Sequence, residues 1–496
     1  MRTFIHRRKL CLGSACMISA LLCGCKTGPK ADQNVDRGRA GVVDASGGGG
    51  RKFCPPYFFD LMHYLVGPDN WLESEGTDIS GDGKYVVGDS AADEAYTATD
   101  GAASNHPFEA TGWTRECEGK PFLQIPMVNP PGLKNGGAGL VGLGYIPASM
   151  SASFAKGISP DGKVIVGWSY VDPLINGLAP TEGVVFDHQK HIFRLGKLNG
   201  DVLSMANDAS ERFTGSRRPE PLLPPGRERH LAARLVHERI IVGYSSTANQ
   251  HAHRTPGAKA VFWGPFYGQL NELTVPASTS YPTKSAEAVC ISDKGLVAAG
   301  NLYYGEAFDD SGAMPCRPCV WMWDNTAKSF GPALVLDDLQ GGRLNARVRH
   351  ISGNGLVIVG SGNGPNGERA CMWVRQLGGT SWSAPVDLGL LPGSATYSVA
   401  NGTDYFGKYI VGVSGSPPDA QGKFSQKATL WEINGMSASS PKDIVSIFHA
   451  NNTGMNIDDN WATQAMRISQ FGKRITGDCW HPDVDGIHEG WVGAIP

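Results

Sequence analysis

Ile158-Ser-Pro-Asp-Gly-Lys-Val-Ile-Val-Gly167 carries a turn at its centre and strand-forming residues on both sides. Asp161-Gly162 accepts the positive φ angles of a tight turn, and the flanking Ile and Val favour extended backbone, so the stretch predicts a β-hairpin. The same pattern returns at Ile79–Gly88, Ile291–Gly300, Ile351–Gly360 and Ile468–Gly477, shortened at Phe406–Gly412. Arg239-Ile-Ile-Val-Gly243 keeps only its back half. The closing glycines are residues 88, 167, 243, 300, 360, 412 and 477, seven copies of one unit. Recurrence at such a spacing is the mark of a repeat architecture.

Two further units follow each hairpin. The first is an apolar strand, usually with Trp: Phe108–Trp113, Gly183–Phe186, Ala260–Trp263, Cys319–Trp323, Ala370–Trp373, Ala428–Trp431 and Gly490–Val492. The second is a short run with Leu or Ile: Leu143–Ile146, Leu195–Leu198, Leu270–Leu273, Leu336–Leu339, Asp387–Leu391 and Ile444–Ile447. Each repeat therefore offers four strands. The last repeat runs out at Pro496 without its fourth, and Phe58–Leu65 supplies a matching strand at the other end of the repeats. A chain that begins with the last strand of its final unit closes a circle and removes the open edges of the array. The expectation is an all-β fold, a seven-bladed β-propeller of four-stranded blades with the ring closed by an N-terminal strand. The third repeat is its weakest member, because residues 216–238 interrupt it.

Asn105-His106-Pro107-Phe108 and Asp387-Leu-Gly-Leu-Leu-Pro-Gly393, set beside the hairpin pattern, resemble the bacterial extracellular HAF repeats over roughly residues 57–496. Ser159-Pro-Asp-Gly-Lys163 is also similar to the repeat of TolB-type propellers. Both resemblances imply a secreted binding or scaffold propeller, and neither implies a reaction. Ser80-Gly-Asp-Gly83 does not match the sialidase Asp-box, which needs its glycine one residue later.

The N-terminus reads as an address. Arg7-Arg8-Lys9 precedes an apolar run from Leu10 to Leu22, and Leu22-Cys-Gly-Cys25 resembles the lipobox of bacterial lipoproteins. That resemblance implies acylation of Cys25, with residues 1–24 removed as signal peptide, and several acyl chains give stable anchoring. Residues 25–52 then form the lipidated cysteine and a flexible tether ending in Gly47-Gly-Gly-Gly50, which holds the following domain, residues 53–496, about 25–30 Å from the membrane. The expected location is the bacterial cell envelope, at the outer membrane on its periplasmic side or at the cell surface.

Composition agrees with this reading. Gly contributes 65 of 496 residues without a Gly-X-Y period, which excludes collagen and favours a turn-rich β protein. The formal charge of −3 becomes −7 once Arg2, Arg7, Arg8 and Lys9 leave with the signal, which argues against nucleic acid as a partner.

In a ring, the loops joining hairpin to Trp strand emerge on one face. They are long here, about residues 89–107, 168–182, 244–259, 301–318, 361–369, 413–427 and 478–489, and suggest a surface for an unknown protein or glycan ligand. They carry Tyr96, Trp168, Tyr170, Tyr244, Tyr303, Tyr304 and Trp480, suited to stacking on sugars or to packing at blade ends. His251-Ala-His253 names no third metal ligand, and His481–Glu489 lacks the full calcium-loop pattern, so neither a metal nor another cofactor is expected. Asp82, Asp161 and Asp293 repeat at the hairpin turn and read as structural rather than catalytic. Seven cysteines follow Cys25; Cys316 with Cys319, and Cys54 with Cys117, are candidate disulfides in an oxidising compartment. No Walker, Rossmann or Gly-x-Ser-x-Gly motif stands in a suitable setting. The function expected is non-enzymatic binding. The alternative is a propeller hydrolase or lyase acting on polysaccharide, which requires acidic or His side chains converging at the funnel.

Overall fold

The computed structural model describes residues 58–61, 74–91, 108–114, 140–142, 153–171, 180–186, 192–211, 238–247, 256–264, 270–277, 282–305, 315–341, 345–376, 379–393, 395–416, 425–451, 461–480 and 488–496. The chain divides into two units, residues 1–52 and 53–496, and all described residues lie in the second.

The described strands form seven antiparallel sheets, six of them ordered from inner to outer strand as the chain runs. One holds β2 (Ser74–Ile79), β3 (Tyr85–Ala91), β4 (Phe108–Thr114) and β5 (Leu140–Gly142). The next holds β6 (Ser153–Ile158), β7 (Ile165–Tyr170), β8 (Thr181–Phe186) and β9 (Ile192–Arg194). Then come β10 (Leu203–Ala209), β11 (Ile241–Ser246), β12 (Ala258–Trp263) and β13 (Leu270–Glu272). The fourth sheet has β14 (Thr283–Ile291), β15 (Val297–Tyr304), β16 (Cys316–Asp324), β17 (Ser329–Phe330) and β18 (Leu334–Val335). The fifth has β19 (Arg347–Ile351), β20 (Val357–Gly364), β21 (Gly367–Val374) and β22 (Val386–Asp387). The sixth has β23 (Tyr397–Thr403), β24 (Tyr409–Ser416), β25 (Ser425–Asn434), β26 (Ser437–Ala438) and β27 (Lys442–Asp443). The last joins β28 (Ala462–Ile468), β29 (Arg474–Trp480) and β30 (His488–Ala494) to β1 (Phe58–Leu61), which pairs with β30 from Phe58↔Ala494 to Leu61↔Trp491. Each inner strand neighbours the next, β2 with β6, β10, β14, β19, β23 and β28 in turn, and β28 lies beside β2. Four-stranded blades arranged around an axis make this a β-propeller.

One contact recurs in every sheet. The inner strand slips register by one residue, between Gly76 and Asp78, Ala155 and Gly157, Ala206 and Asp208, Ala288 and Cys290, Val348 and His350, Ala400 and Gly402, and Ala465 and Arg467. Opposite each bulge stands the closing glycine of the repeat. A Cβ there would lie 1.7 Å from the Glu75 carbonyl oxygen at Gly88 and 1.9–2.0 Å from the corresponding oxygen at Gly167, Gly243, Gly300, Gly360, Gly412 and Gly477. The repeat keeps its glycine because the bulged backbone occupies the space of a side chain. Between sheets, Trp263, Trp321, Trp373, Trp431 and Trp491 are fully buried third-strand residues.

Four expectations are corrected. Ile444–Ile447 is not a strand but opens a helix, α1 (Ile444–Ala450), because the Asp443 side chain accepts from Val445 N and Ile444, Val445 and Phe448 share a buried helical face. The outer strands of that sheet are β26 and β27 instead. Residues 361–369 form no long loop, since β20 and β21 continue to a tight turn with Gly364 facing Gly367. The third repeat does have a front half: Ala209-Ser210 takes the place of Ile-Ser, and the Ser210 hydroxyl accepts from Ile240 N at 3.0 Å across the inserted residues. The Leu runs at 195–198 and 336–339 follow β9 and β18 rather than forming them, Leu143–Ile146 and 62–65 lie outside the described residues, and Leu270–Leu273 coincides with β13.

Substituting Gly300→Ala should lower unfolding free energy by about 3 kcal/mol or prevent folding, because backbone must move. Gly331→Ala, whose Cβ meets only the Met322 oxygen at 3.7 Å, should stay within about 0.5 kcal/mol of wild type in denaturant titration.

Candidate functional site

The bulge turns the residue that follows it toward the neighbouring blade. Asp78 accepts from its own neighbour Ile79 N at 2.9 Å and from Ile158 N of the next inner strand at 2.8 Å. Asp208 does the same with Ala209 N at 2.7 Å and Ile291 N at 2.9 Å. His350 Nδ1 accepts from Thr403 N at 3.2 Å. Arg467 Nη1 donates to Asn401 O at 2.5 Å, and its Nε lies 3.7 Å from Asp78 Oδ1. Blade junctions are stapled again further along by hydroxyls: Ser204, Ser285, Ser398, Thr463 and Ser74 accept from third-strand amides of the preceding sheet at 2.9–3.1 Å.

At the hairpin-turn end a belt of backbone hydrogen bonds circles the axis. Gly81 N donates to Pro160 O, Glu211 N to Asp293 O, Asp293 N to Gly353 O, Asn354 N to Tyr405 O, Tyr405 N to Gln470 O, and Gln470 N to Gly81 O, all at 2.7–3.1 Å. The junction without such a bond follows Pro160, which has no N–H to give. Arg239 spans it instead, its Nη2 2.6 Å from Asp161 Oδ2.

Inside the belt lies a cavity of about 50 Å³ to which all seven sheets contribute, including Asp78, Asp208, Asp293, His350, Thr403 and Gln470. Gln470 Nε2 donates to Asp293 Oδ2 across the mouth, joining two distant blades. Thr403 stands where most repeats carry Ile, and its buried hydroxyl has no hydrogen-bond partner among the described residues. The volume suits a few water molecules, whereas ligand pockets run to about 300–1,000 Å³.

Burial dominates the electrostatics. It raises the Asp208 carboxyl to about 8, with the Asp78 charge adding and the two amides and Arg467 opposing. Asp78 is raised by burial against the pull of Arg467. Asp293 is raised to about 7 by burial and by the Glu211 charge. His350 is held well below its ordinary value by burial and then by Arg467, which keeps Nδ1 free to accept.

The residues singled out from sequence fall differently. Asp82 and Asp161 are turn residues as expected, each accepting from the Ser two before it, Ser80 at 2.8 Å and Ser159 at 2.7 Å. Asp293 is not their equivalent: it sits one residue earlier in its turn and faces the channel mouth. Cys316 and Cys319 form no disulfide; both are buried free thiols on β16, where residues three apart face opposite sides of the sheet. Burial raises both thiols. Trp168, Tyr244, Tyr303 and Tyr304 are buried packing residues, while Tyr170 and Trp480 are half-buried at the opposite end. Cys25, Cys54, Cys117, Tyr96, His251, His253 and residues 481–487 lie outside the described residues. Sequence reading missed Asp78, Asp208, His350 and Arg467; the signal was a polar residue recurring just before the final aliphatic residue of an inner strand.

No family model matches the chain, and no curated protein does. Among solved structures, the Dos1 propeller is 10% identical over 87% of this chain and 82% of its own, with a TM-score of 0.39. Kuenenia stuttgartiensis hydrazine synthase is 11% identical over 84% and 95%, TM-score 0.37. The periplasmic gluconolactonase of Pseudomonas aeruginosa is 9% identical over 78% and 98%, TM-score 0.33. Likenesses at this level carry no chemistry to this chain.

Asp293 keeps its proton to higher pH in the folded chain than the ordinary 3.8, so its contribution to stability is complete below about pH 4 and is lost as pH rises through about 7. Asp293→Asn keeps an acceptor for Gln470 and cannot ionise. Urea titrations from pH 5 to pH 8 should show wild type losing stability and the variant losing less, by about one linked proton.

Proposed function

We propose that this chain is a lipid-anchored protein of the bacterial envelope, held through Cys25, whose seven sheets are the blades of one closed ring sealed by β1. Its long connections present a surface that binds protein or glycan, and it performs no catalysis. The observation that carries the non-catalytic reading is the use made of the channel polar groups. Both oxygens of Asp78 and of Asp208 accept backbone amides, His350 Nδ1 does too, and each bond spans or supports a blade junction. A carboxylate so engaged holds the ring together, and the cavity beside it is too small for a sugar ring. The resemblance to HAF repeats and the lipobox supports an exported binding propeller.

A polysaccharide hydrolase or lyase is the second reading, favoured by the convergence of Asp78, Asp208, Asp293 and His350 on one cavity. The two separate in one experiment. Purified chain is incubated with envelope polysaccharides while mobility shift and release of new reducing or unsaturated ends are followed. Retention without new ends is expected; release abolished by Asp293→Asn would establish the enzyme. For the anchor, cells fed a clickable fatty acid should label wild type and not Cys25→Ala, and absence of label in both would overturn it.

A further inference from the structure

The hairpin turns differ by blade in one position. Where the β2–β3 and β6–β7 turns carry Asp82 and Asp161, the β23–β24 and β28–β29 turns carry Phe406 and Phe471, 62% and 68% exposed. Each Phe is followed by Gly and an exposed lysine, Lys408 or Lys473. In the Asp-bearing turns the matching lysines have a carboxylate within reach, Lys84 that of Asp82 at 2.9 Å and Lys163 that of Asp161 at 4.0 Å, which Arg239 also holds. Among the described residues neither Lys408 nor Lys473 has a carboxylate partner, and Lys408 Nζ lies 5.0 Å over the Tyr409 ring. The two turns adjoin: Tyr405 N donates to Gln470 O at 3.0 Å, and a Cβ on Gly472 would fall 2.3 Å from the Tyr409 ring. Two protruding rings and two uncompensated ammonium groups thus share one rim.

The path of the chain tells what this rim meets. β1 begins at Phe58 opposite Ala494, and Ala494 pairs with Arg474, the residue after Lys473. The first described residue of β1, Phe58, therefore lies at the hairpin-turn end, level with the Phe471 turn. We propose that this face, through Phe406, Lys408, Phe471 and Lys473, rests on an anionic lipid bilayer. The inference builds on the lipid-anchor reading: an anchored chain keeps the propeller near a bilayer, and β1 starts at the hairpin-turn end. Phe rings enter the boundary between headgroups and acyl chains, and the lysines meet lipid phosphates. The long connections on the opposite face then point away from the membrane.

The test uses acyl-free chain, residues 26–496, which retains every strand described. Flotation with vesicles of phosphatidylglycerol and phosphatidylcholine is compared with phosphatidylcholine alone, thermal unfolding serving as the folding control. Wild type should float with the anionic vesicles. Phe406→Ser/Phe471→Ser should lose about tenfold in binding, and Lys408→Gln or Lys473→Gln about fivefold each, with melting unchanged. Equal binding to both vesicles, no binding to either, or undiminished binding by the Phe variants would overturn the inference. So would Phe-dependent self-association without vesicle binding, which makes the rim a protein contact. Because the chain is unacylated, fatty-acid labelling of Cys25 reports on the anchor separately.

Discussion

A carbonyl oxygen pressed against a glycine governs this propeller. In each sheet the inner strand bulges into the space that a side chain on the second strand would fill, and the seven closing glycines leave it open. The bulge changes which way the next residue points. Without it, Asp78, Asp208, His350 and Arg467 would follow the ordinary alternation of a strand; with it, they meet amides or carbonyls of neighbouring strands. Backbone geometry inside a blade thereby sets the chemistry between blades.

Between blades the same task is solved with different residues. A carboxylate joins β2 to β6 and β10 to β14, an imidazole joins β19 to β23, and a guanidinium joins β28 to β23. Pro160 removes one amide from the belt, and Arg239 supplies an ion pair at that junction. Repeats this degenerate in sequence stay alike in shape because each junction needs some donor and acceptor, not one particular pair. Burial raises the carboxyls among these groups, and their amide partners limit the rise.

The blades were legible because Asp-Gly turns, β-branched neighbours and Trp strands are local signals. The front of the third repeat was hidden: Ala209 replaces Ile and the inserted residues separate Ser210 from Ile240, so a hydrogen bond between them has no sequence spacing to betray it. Ile444–Ile447 misled because three apolar residues around Ser446 fit strand and helix equally until the Asp443 cap decides. The channel cluster was hidden for a topological reason. Asp78, Asp208, Asp293 and His350 come from four different repeats and meet only where the inner strands pack around one cavity. The Phe406 and Phe471 turns read as ordinary repeat copies in sequence, and only the packing of adjoining blades exposes their rings side by side.

Native-state hydrogen exchange at interblade amides tests ring closure most directly. Gly76 N donates to Asp478 at 2.9 Å and Gly490 N to Ser74 at 3.1 Å, both between the last sheet and the first. Ile158 N and Ile291 N also bond across blade junctions, to Asp78 and Asp208 on the preceding inner strands. A closed ring predicts that all four exchange only through global unfolding, with one shared free energy. Fast exchange at Gly76 and Gly490, with Ile158 and Ile291 still protected, would mean that the circle is open where the chain ends meet.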